Sequence, residues 1–202
     1  MPDRQHADET RLVQQAQKGD VEAFGQLYEF YAPLVFRFLF SHLDDRLDAE
    51  DLTEDVFMRV WEALPGFRAR GVPFGGYLFR VARNALYDHY RRNRRRSSDA
   101  ELNLEWEDNF HPDPAESVPM NIEHGELRAS LAKLREDYRT VLTLRFLVGL
   151  STEEIAVAMR RSAGAVRVLQ HRALLSLRQE LERQESEEND RQTFKEEPLN
   201  GV

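Results

Sequence analysis

Arginine and aromatic side chains are concentrated in residues 66–96 of this 202-residue chain, a stretch with nine arginines and a single acidic residue. Aromatic rings stack on unpaired bases and arginines neutralise phosphates, so this composition is typical of a surface that binds single-stranded nucleic acid. Each stacked base contributes roughly 1 to 3 kcal/mol, whereas each disrupted duplex step costs about 1.4 kcal/mol. The stretch could therefore hold one or two unpaired bases, but a longer segment of melted DNA would require a larger protein complex. The interleaved rings are Phe67, Phe74, Tyr77, Phe79, Tyr87 and Tyr90, and at least half of them are expected to be core residues.

A second basic segment, residues 152–172, has the pattern of a helix-turn-helix unit. Ser151 and Glu154 have the spacing of a capping box, which predicts the start of a short helix. Ala156 is small enough for two helices to touch at its position. The apolar residues that would close this small core from both helices are Ile155, Met159, Val166 and Leu169.

The second helix of this unit would present one face to a major groove. Its outward residues are Ala163, Gly164, Arg167, Val168 and His171. Arg167 is the candidate for a guanine edge, because a bidentate arginine contact discriminates by roughly 1 to 3 kcal/mol. Phosphates would be contacted by Arg160, Arg161 and Arg172. Arg160 stands in the turn where a glycine would ease a left-handed conformation. The alternative is an ordinary helical hairpin with a solvated basic face.

The segment from Asp48 to Leu64 predicts an acidic amphipathic helix, because apolar residues recur at helical spacing. Its apolar face carries Leu52, Val56, Val60 and Leu64, and its opposite face carries Asp48, Asp51, Glu54, Asp55 and Arg59. Such a negative face is poor for DNA and suited to a basic protein surface. A face that is merely solvated is the alternative.

The remaining residues give no pattern of a catalytic or metal site. The chain has no cysteine, and its six histidines are scattered without the spacing of a metal pair. There is no glycine-rich phosphate loop and no nucleophile elbow. The polar N-terminus lacks the apolar segment of a signal peptide, and no apolar run is long enough to span a membrane. We therefore predict a cytoplasmic protein with no catalytic residues, no metal and no cofactor.

The net charge of −8 hides blocks of opposite sign: residues 1–65 and 97–126 are acidic, and residues 66–96 and 127–183 are basic. Such blocks indicate separate surfaces for separate partners. With helical periodicity and no strand signal, they predict an all-α fold of two small helical domains joined by an acidic flexible linker. The predicted divisions are an N-terminal extension (1–19), a first domain (20–96), the linker (97–122), a second domain (123–183) and an acidic disordered tail (184–202).

Three segments carry a resemblance to a known family, namely DAEDLTEDVFMRVWEAL, FGGYLFRVARNALYDHYRRNRRR and LREDYRTVLTLRFLVGLSTEEIAVAMRRSAGAVRVLQHRALLSLR. Their order and spacing resemble bacterial sigma factors of the sigma-70 family, extracytoplasmic-function group, over about residues 20–96 and 123–180. The resemblance implies a region 2-like bundle and a region 4-like helix-turn-helix. It also implies a factor that binds core RNA polymerase, recognises the −35 and −10 promoter elements and helps to open DNA. Such factors are commonly silenced by an anti-sigma factor, which the resemblance therefore implies as a partner.

The resemblance further implies roles for individual residues. The positions that match polymerase-binding residues of the family are Asp48, Asp51, Leu52, Glu54, Asp55 and Phe57. Those that match the surface that opens the −10 element and captures a flipped base are Phe67, Arg68, Arg70, Tyr77, Arg80, Arg83, Asn84, Asp88, Arg91 and Arg92. Those that match the −35-binding surface are Arg160, Arg161, Ser162, Ala163, Arg167, His171 and Arg172. Tyr77 stands where members of the family commonly have a tryptophan, and Arg160 stands where they usually have a glycine. The promoter sequence that other members recognise therefore does not transfer to this chain.

The acidic linker is expected to lie in polymerase channels that otherwise hold nucleic acid, or to cover the chain's own arginines when the protein is free. Two other functions share parts of the pattern. A repressor or activator that binds duplex DNA alone would need the helix-turn-helix but not the acidic helix. A protein-interaction module that imitates sigma factors would fail to start transcription with core polymerase.

Overall fold

The computed structural model describes residues 2–43, 45–68, 73–98 and 129–196, and this part of the chain is helical with no strand. Its helices include α1 (Pro2–Ala16), α2 (Val21–Phe40), α3 (Arg46–Ala63), α4 (Phe74–Ser98), α5 (Glu136–Leu142), α6 (Thr152–Met159) and α7 (Ala163–Glu196). A 3-10 turn (Leu64–Gly66) follows α3, and a π-helical turn (Thr143–Val148) follows α5. We refer to α1–α4 as the N-terminal lobe and to residues 129–196 as the C-terminal lobe. Within the described ranges, no helix has the length and apolarity needed to cross a membrane.

The N-terminal lobe forms around the apolar faces of its four helices. Asp20 caps α2, where its carboxylate accepts the N–H groups of Glu22 and Ala23, each at 3.0 Å. Asp45 caps α3 by accepting the Leu47 N–H at 2.7 Å. The sequence predicted a helix that begins at Asp48, but Asp48 lies in the first turn of α3, where its negative charge interacts favourably with the helix dipole. Fully buried side chains of the lobe include Val35, Phe38, Leu39, Val56, Val60, Leu64, Leu78, Phe79 and Leu86.

Helix α1 belongs to the N-terminal lobe, whereas the sequence predicted an extension outside the first domain. Val13 and Ala16 are buried in the core, and the Tyr31 hydroxyl donates to Glu9 at 2.5 Å. The short apolar face of α1 gives little periodicity. The helix is stabilised by packing against α2, which is the usual source of helical stability in proteins.

The C-terminal lobe contains the predicted helix-turn-helix. The Ser151 hydroxyl accepts the Glu154 N–H at 3.2 Å and the Glu154 carboxylate accepts the Ser151 N–H at 2.8 Å, which confirms the capping box. The π-helical turn ends at Gly149 with φ 87°, in the left-handed region that favours glycine. Arg160 has φ 53° in the turn between α6 and α7, the conformation expected at its position. The predicted small core is confirmed, with Ile155, Met159, Val166 and Leu169 all buried.

Helix α7 is longer than predicted. The sequence indicated a helix that ends near Arg183 and a tail that is disordered after Gln184, but the backbone stays helical to Glu196. Residues 184–196 contain no glycine or proline and are rich in helix-forming Glu, Gln and Arg. Pairs three and four residues apart add local support, with Arg178 at 2.7 Å from Glu182.

The two lobes pack on each other, which the sequence did not predict. Helix α6 lies against the first turn of α4, and the π-helical turn lies against α2. His42, in the turn after α2, is fully buried at this junction. Its Nδ1 lies 2.9 Å from the Phe38 carbonyl oxygen, and its Nε2 lies 3.4 Å from the Thr140 hydroxyl and 3.8 Å from the Glu136 carboxylate.

Burial at the junction predicts a pH-dependent stability. Burial and then the positive charge of Arg139 lower the pKa of His42 from its ordinary 6.5 to about 3. The unfolded chain therefore binds a proton that the folded chain does not, so stability is full above about pH 6.5 and falls as the pH decreases toward 3. Between pH 7 and pH 5 this group should reduce the free energy of unfolding by about 2 kcal/mol.

Urea unfolding at both pH values checks this prediction with two variants. His42→Gln should lack this share of the pH dependence, whereas the exposed His171→Gln should keep it. Burial raises the pKa of Glu136, which acts in the opposite sense because the folded state then gains a proton at higher pH. All variants therefore keep Glu136. The same pH dependence in wild type and His42→Gln would show that His42 is not the responsible group.

Candidate polymerase and nucleic-acid interfaces

Helix α3 presents a negative face with apolar residues inside it. Asp51 and Glu54 are exposed, and Leu47 and Met58 on the same side of the helix are 68% and 63% exposed. The spacing 47, 51, 54, 58 places these four side chains on one stripe. We define the acidic face as Leu47, Asp48, Asp51, Glu54, Asp55 and Met58.

Two residues assigned to polymerase binding in the sequence lie in the core instead. Leu52 and Phe57 are 4% and 3% exposed, and Phe57 packs against Phe24 and Tyr28. They occupy the apolar side of an amphipathic helix, so they can hold the acidic face in place but cannot contact a partner. Sequence reasoning missed Leu47 and Met58, although their three- and four-residue spacing to Asp51 and Glu54 was a visible signal.

The aromatic rings around the start of α4 form a packed cluster. Phe67 and Tyr77 have ring centroids 4.5 Å apart, and the Arg80 guanidinium lies over the Tyr77 ring at 5.4 Å from its centroid. Tyr77 is buried together with Phe74 and Phe79, whereas Phe67, Tyr87 and Tyr90 are partly exposed. The expectation that at least half of these rings are core is therefore confirmed. Phe67 lies at the edge of the cluster, where the chain enters residues 69–72.

The predicted −10 residues are divided between two environments. Arg68, Asn84, Arg91 and Arg92 are exposed, and Asp88 is ion-paired with Arg91 and also with Arg59, at 3.4 Å from the latter. Arg83 instead lies 3.8 Å from Asp137 of the C-terminal lobe, and it contacts the ring and hydroxyl of Tyr87 on its own helix. Arg70 lies outside the described residues, as does most of the predicted acidic linker.

The predicted −35 residues lie together on the turn and the first half of α7. Arg160, Arg161, Ser162, Arg167, His171 and Arg172 are exposed, and Ala163 is partly exposed. The Ser162 hydroxyl accepts the Ala165 N–H at 3.2 Å and so caps the start of α7. Arg167 is 3.9 Å from Glu153, and Arg161 is 2.5 Å from Asp137. Around this helix N-terminus, Arg160, Arg161, Arg167 and Arg172 supply four positive charges.

Gln17 is a positioning residue that sequence reasoning missed. From the turn after α1, its side-chain amide donates to the carbonyl oxygens of Leu64 and Phe67, the former at 3.2 Å. These carbonyls flank the entrance to the loop that precedes α4. Because these contacts join residues 47 and 50 positions apart, no local pattern could have indicated them.

Replacing Gln17 by glutamate should disturb this loop, because a carboxylate would face two carbonyl oxygens without a donor. We expect a loss of roughly 1 to 3 kcal/mol in unfolding free energy. We also expect promoter opening to fall several-fold, while binding to the −35 element is unchanged. Opening is measured by the fluorescence of a base analogue placed in the −10 element. The matched control is Gln14→Glu, an exposed position of α1. Equal effects of the two variants would show that the Gln17 contacts do not position the loop.

The part of the chain that the structure describes contains no group of side chains suited to a metal ion. Two family models match the chain: Sigma-70 region 2 over residues 27–96, within the N-terminal lobe, and Sigma-70, region 4 over residues 124–177, most of which lie in the C-terminal lobe. The chain is 35% identical over 176 residues to the ECF RNA polymerase sigma factor ShbA of Streptomyces griseus, covering 83% of this chain and 92% of that protein. The chain belongs to the extracytoplasmic-function sigma factors.

Other sigma factors show a similar degree of likeness. ECF RNA polymerase sigma factor SigD of Mycobacterium tuberculosis is 36% identical over 180 residues, covering 84% of this chain and 82% of SigD. ECF RNA polymerase sigma factor BldN of Streptomyces coelicolor is 33% identical over 166 residues, covering 82% of this chain and 63% of BldN. A factor with these two regions binds core RNA polymerase and directs promoter-specific transcription initiation.

Two solved sigma factors share the fold. CnrH, solved in complex with the cytosolic domain of CnrY, superposes with a TM-score of 0.66 at 27% identity, covering 87% of this chain and 97% of CnrH. RpoE of Bartonella quintana, solved in complex with the anti-sigma factor NepR, gives a TM-score of 0.62 at 24% identity, covering 79% of this chain and 96% of RpoE. Each superposition extends over both lobes of this sigma factor.

Proposed function

We propose that this sigma factor docks on core RNA polymerase through the acidic face of α3. From that position it presents α4 and the preceding loop to the −10 element and the first half of α7 to the −35 element. The sigma factor itself catalyses no reaction, since the polymerase supplies the chemistry. It acts in the cytoplasm, where the polymerase and the promoter DNA are found.

The composition of the acidic face supports the docking role. Protein interfaces combine apolar residues at their centre with charges that steer the partner, and α3 exposes Leu47 and Met58 among four carboxylates. A DNA-binding surface would be repelled by these charges. A repressor that acts on duplex DNA alone would have no use for such a face, so the sigma-factor function accounts for more of the molecule.

The geometry around Phe67 supports base capture at the −10 element. An unpaired base could stack at the partly exposed edge of the ring cluster formed with Tyr77, while exposed arginines such as Arg68 contact phosphates. Arg91 and Arg92 extend the positive surface along α4. Stacking of one base is within the energy that such a cluster can provide.

The start of α7 supports recognition of the −35 element. Arg167 is exposed on the first turns of a helix whose small residues Ala163 and Gly164 permit close approach to a major groove. Arg160 and Arg172 flank it and are suited to phosphates. The single observation that carries the proposal is that these three surfaces, one acidic and two basic, are each exposed on a separate helix.

We further propose that an anti-sigma factor is a partner of this chain. CnrH and RpoE were solved with CnrY and with the anti-sigma factor NepR, respectively. The shared two-lobe arrangement supports a comparable partner here.

Mapping of transcription start sites tests the proposed function. Purified core polymerase is incubated with a genomic template library, with and without the sigma factor, and RNA 5′ ends are sequenced. We expect new start sites that share two upstream sequence elements and that depend on the sigma factor. Start sites that are unchanged by its addition would refute the proposal.

A further inference from the structure

A carboxylate stands among the arginines of the predicted −10 surface. Asp88 is partly exposed on α4, three residues before Arg91. Its negative charge repels the phosphates that the neighbouring arginines attract. It also competes with those phosphates for the same guanidinium groups, because arginine forms charge-assisted hydrogen bonds with both kinds of oxygen. The surface can therefore bind a nucleic-acid strand well only if the charge of Asp88 is neutralised.

Two arginines from different helices neutralise Asp88. Arg91 of α4 donates to its Oδ1 atom at 2.5 Å, and Arg59 of α3 donates to its Oδ2 atom at 3.4 Å. Each oxygen of the carboxylate thus has its own guanidinium partner. The three side chains together carry one net positive charge, whereas Asp88 and Arg91 alone would carry none.

The packing of α3 on α4 brings Arg59 to this position. Val56 and Val60, which lie on either side of Arg59 in the sequence, are fully buried. Ala85, one turn before Asp88 on α4, is also fully buried. Arg59 and Asp88 therefore lie at the margins of the buried faces of their helices, where a long side chain can cross from one helix to the other.

A second carboxylate holds Arg59 in place. The Nη2 atom of Arg59 lies 3.6 Å from Oδ2 of Asp55, one turn earlier on α3. The Arg59 side chain is 38% exposed and lies between two acids, whereas the Arg91 side chain is 68% exposed. Of the two partners of Asp88, Arg91 is therefore the one that can turn towards a strand, and Arg59 is the one that stays.

This arrangement allows Arg91 to exchange a carboxylate for a phosphate. When Arg91 turns to the strand, Asp88 keeps its contact with Arg59 and is not left unpaired beside the phosphate. Without Arg59, the same movement would leave an uncompensated negative charge next to the DNA, so Arg91 would stay with Asp88. Because all of these groups are partly exposed, water screens their charges and the expected effect on affinity is moderate.

We propose that Arg59 is a positioning residue of the −10 surface, which shares Asp88 with Arg91 and so frees Arg91 for a phosphate of the unpaired strand. The inference rests on the proposed function, in which α4 meets the −10 element. Asp88, which the family resemblance places at this element, then acts through an arginine instead of contacting a base. Helix α3 thereby takes part in DNA binding as well as in docking.

Binding of the free full-length protein to a fluorescent oligothymidylate tests the proposal. This probe offers phosphates and unpaired bases without a promoter sequence, and the absence of polymerase keeps docking out of the measurement. The affinity is measured over a range of salt concentrations. Each phosphate contact on a single strand contributes about 0.7 to the slope of log affinity against log salt, so the slope reports whether Arg91 meets a phosphate.

Arg59→Gln should weaken binding by about three- to fivefold and reduce this slope by about 0.7, because Arg91 then stays with Asp88. Arg59→Gln/Asp88→Asn should restore both values, since no carboxylate then competes for Arg91. Arg46→Gln is the matched control, because it removes the same charge from α3 at a position where the ion pair, 2.8 Å, is with Glu50 of the same helix. It should leave the slope unchanged.

The double variant distinguishes an indirect role of Arg59 from a direct one. If it binds the probe as weakly as Arg59→Gln, Arg59 contacts the strand itself and the proposal is wrong. A wild type that does not bind the probe, or binds it independently of salt, would also refute the proposal. Circular dichroism confirms that each variant is folded.

Promoter-specific transcription with core polymerase separates the two possible failures. If wild type directs such transcription while Arg59→Gln matches wild type in affinity and slope, the inference is wrong and the proposed function stands. If wild type directs no such transcription but the slopes change as expected, the proposed function fails, and the arginine exchange remains a property of a surface that binds single strands.

Discussion

The double charge reversal Asp51→Lys/Glu54→Lys is expected to weaken binding to core RNA polymerase by about 100-fold or more, because like charges placed across an interface cost several kcal/mol. Both residues are exposed at the centre of the acidic face and contribute nothing to the core of the N-terminal lobe. The thermal stability of the variant should therefore stay close to that of wild type. Affinity is measured by titrating labelled sigma factor with core polymerase at fixed salt.

A second double reversal, Glu29→Lys/Glu182→Lys, changes the net charge equally at exposed positions outside the acidic face. It should weaken polymerase binding only slightly. If both double variants lose the same affinity, the effect comes from net charge, and the acidic face is not the docking surface.

Arg167→Ala is expected to relax discrimination at one base pair of the −35 element by roughly 10- to 100-fold, since each bidentate arginine contact is worth about 1 to 3 kcal/mol of specificity. The Arg167 side chain is 66% exposed, and among the described residues its ion pair is a long one, 3.9 Å, with Glu153, so its removal should leave the fold intact. The measurement is competition binding of holoenzyme to promoters in which each −35 base pair is changed in turn.

Arg172→Ala is the matched control for this prediction. As a phosphate contact it should weaken all promoters about equally and reduce the slope of log affinity against log salt by about 0.9. A uniform loss from Arg167→Ala, with no change in base preference, would place Arg167 on a phosphate instead.

The sequence predicted the features that depend on neighbouring residues. The capping box of Ser151 and Glu154 and the small core around Ile155 and Val166 follow from spacings of three and four along one helix or across one short turn. The left-handed conformation of Arg160 followed from its place in that turn. The exposed acids of α3 and the exposed arginines of α7 were predicted because amphipathic periodicity separates solvent faces from core faces.

The features that were missed depend on contacts between distant parts of the chain. Glu154 packs on Gly75 and Gly76, and Asp137 reaches Arg83, across sequence separations that leave no periodic signal. The assignment of Leu52 and Phe57 to polymerase binding followed the family resemblance, whereas the amphipathic pattern of α3 already favoured the core.

The position of each lobe on promoter DNA is the most direct test of the account. Because the chain has no cysteine, an iron chelate that generates hydroxyl radicals can be attached to Arg92→Cys on α4 or to Ala165→Cys on α7, both exposed. In the presence of core polymerase, we predict that the two derivatives cleave one promoter in two windows about 25 base pairs apart, around −10 and −35 respectively. Cleavage in a single shared window, or the same cleavage without polymerase, would contradict the account.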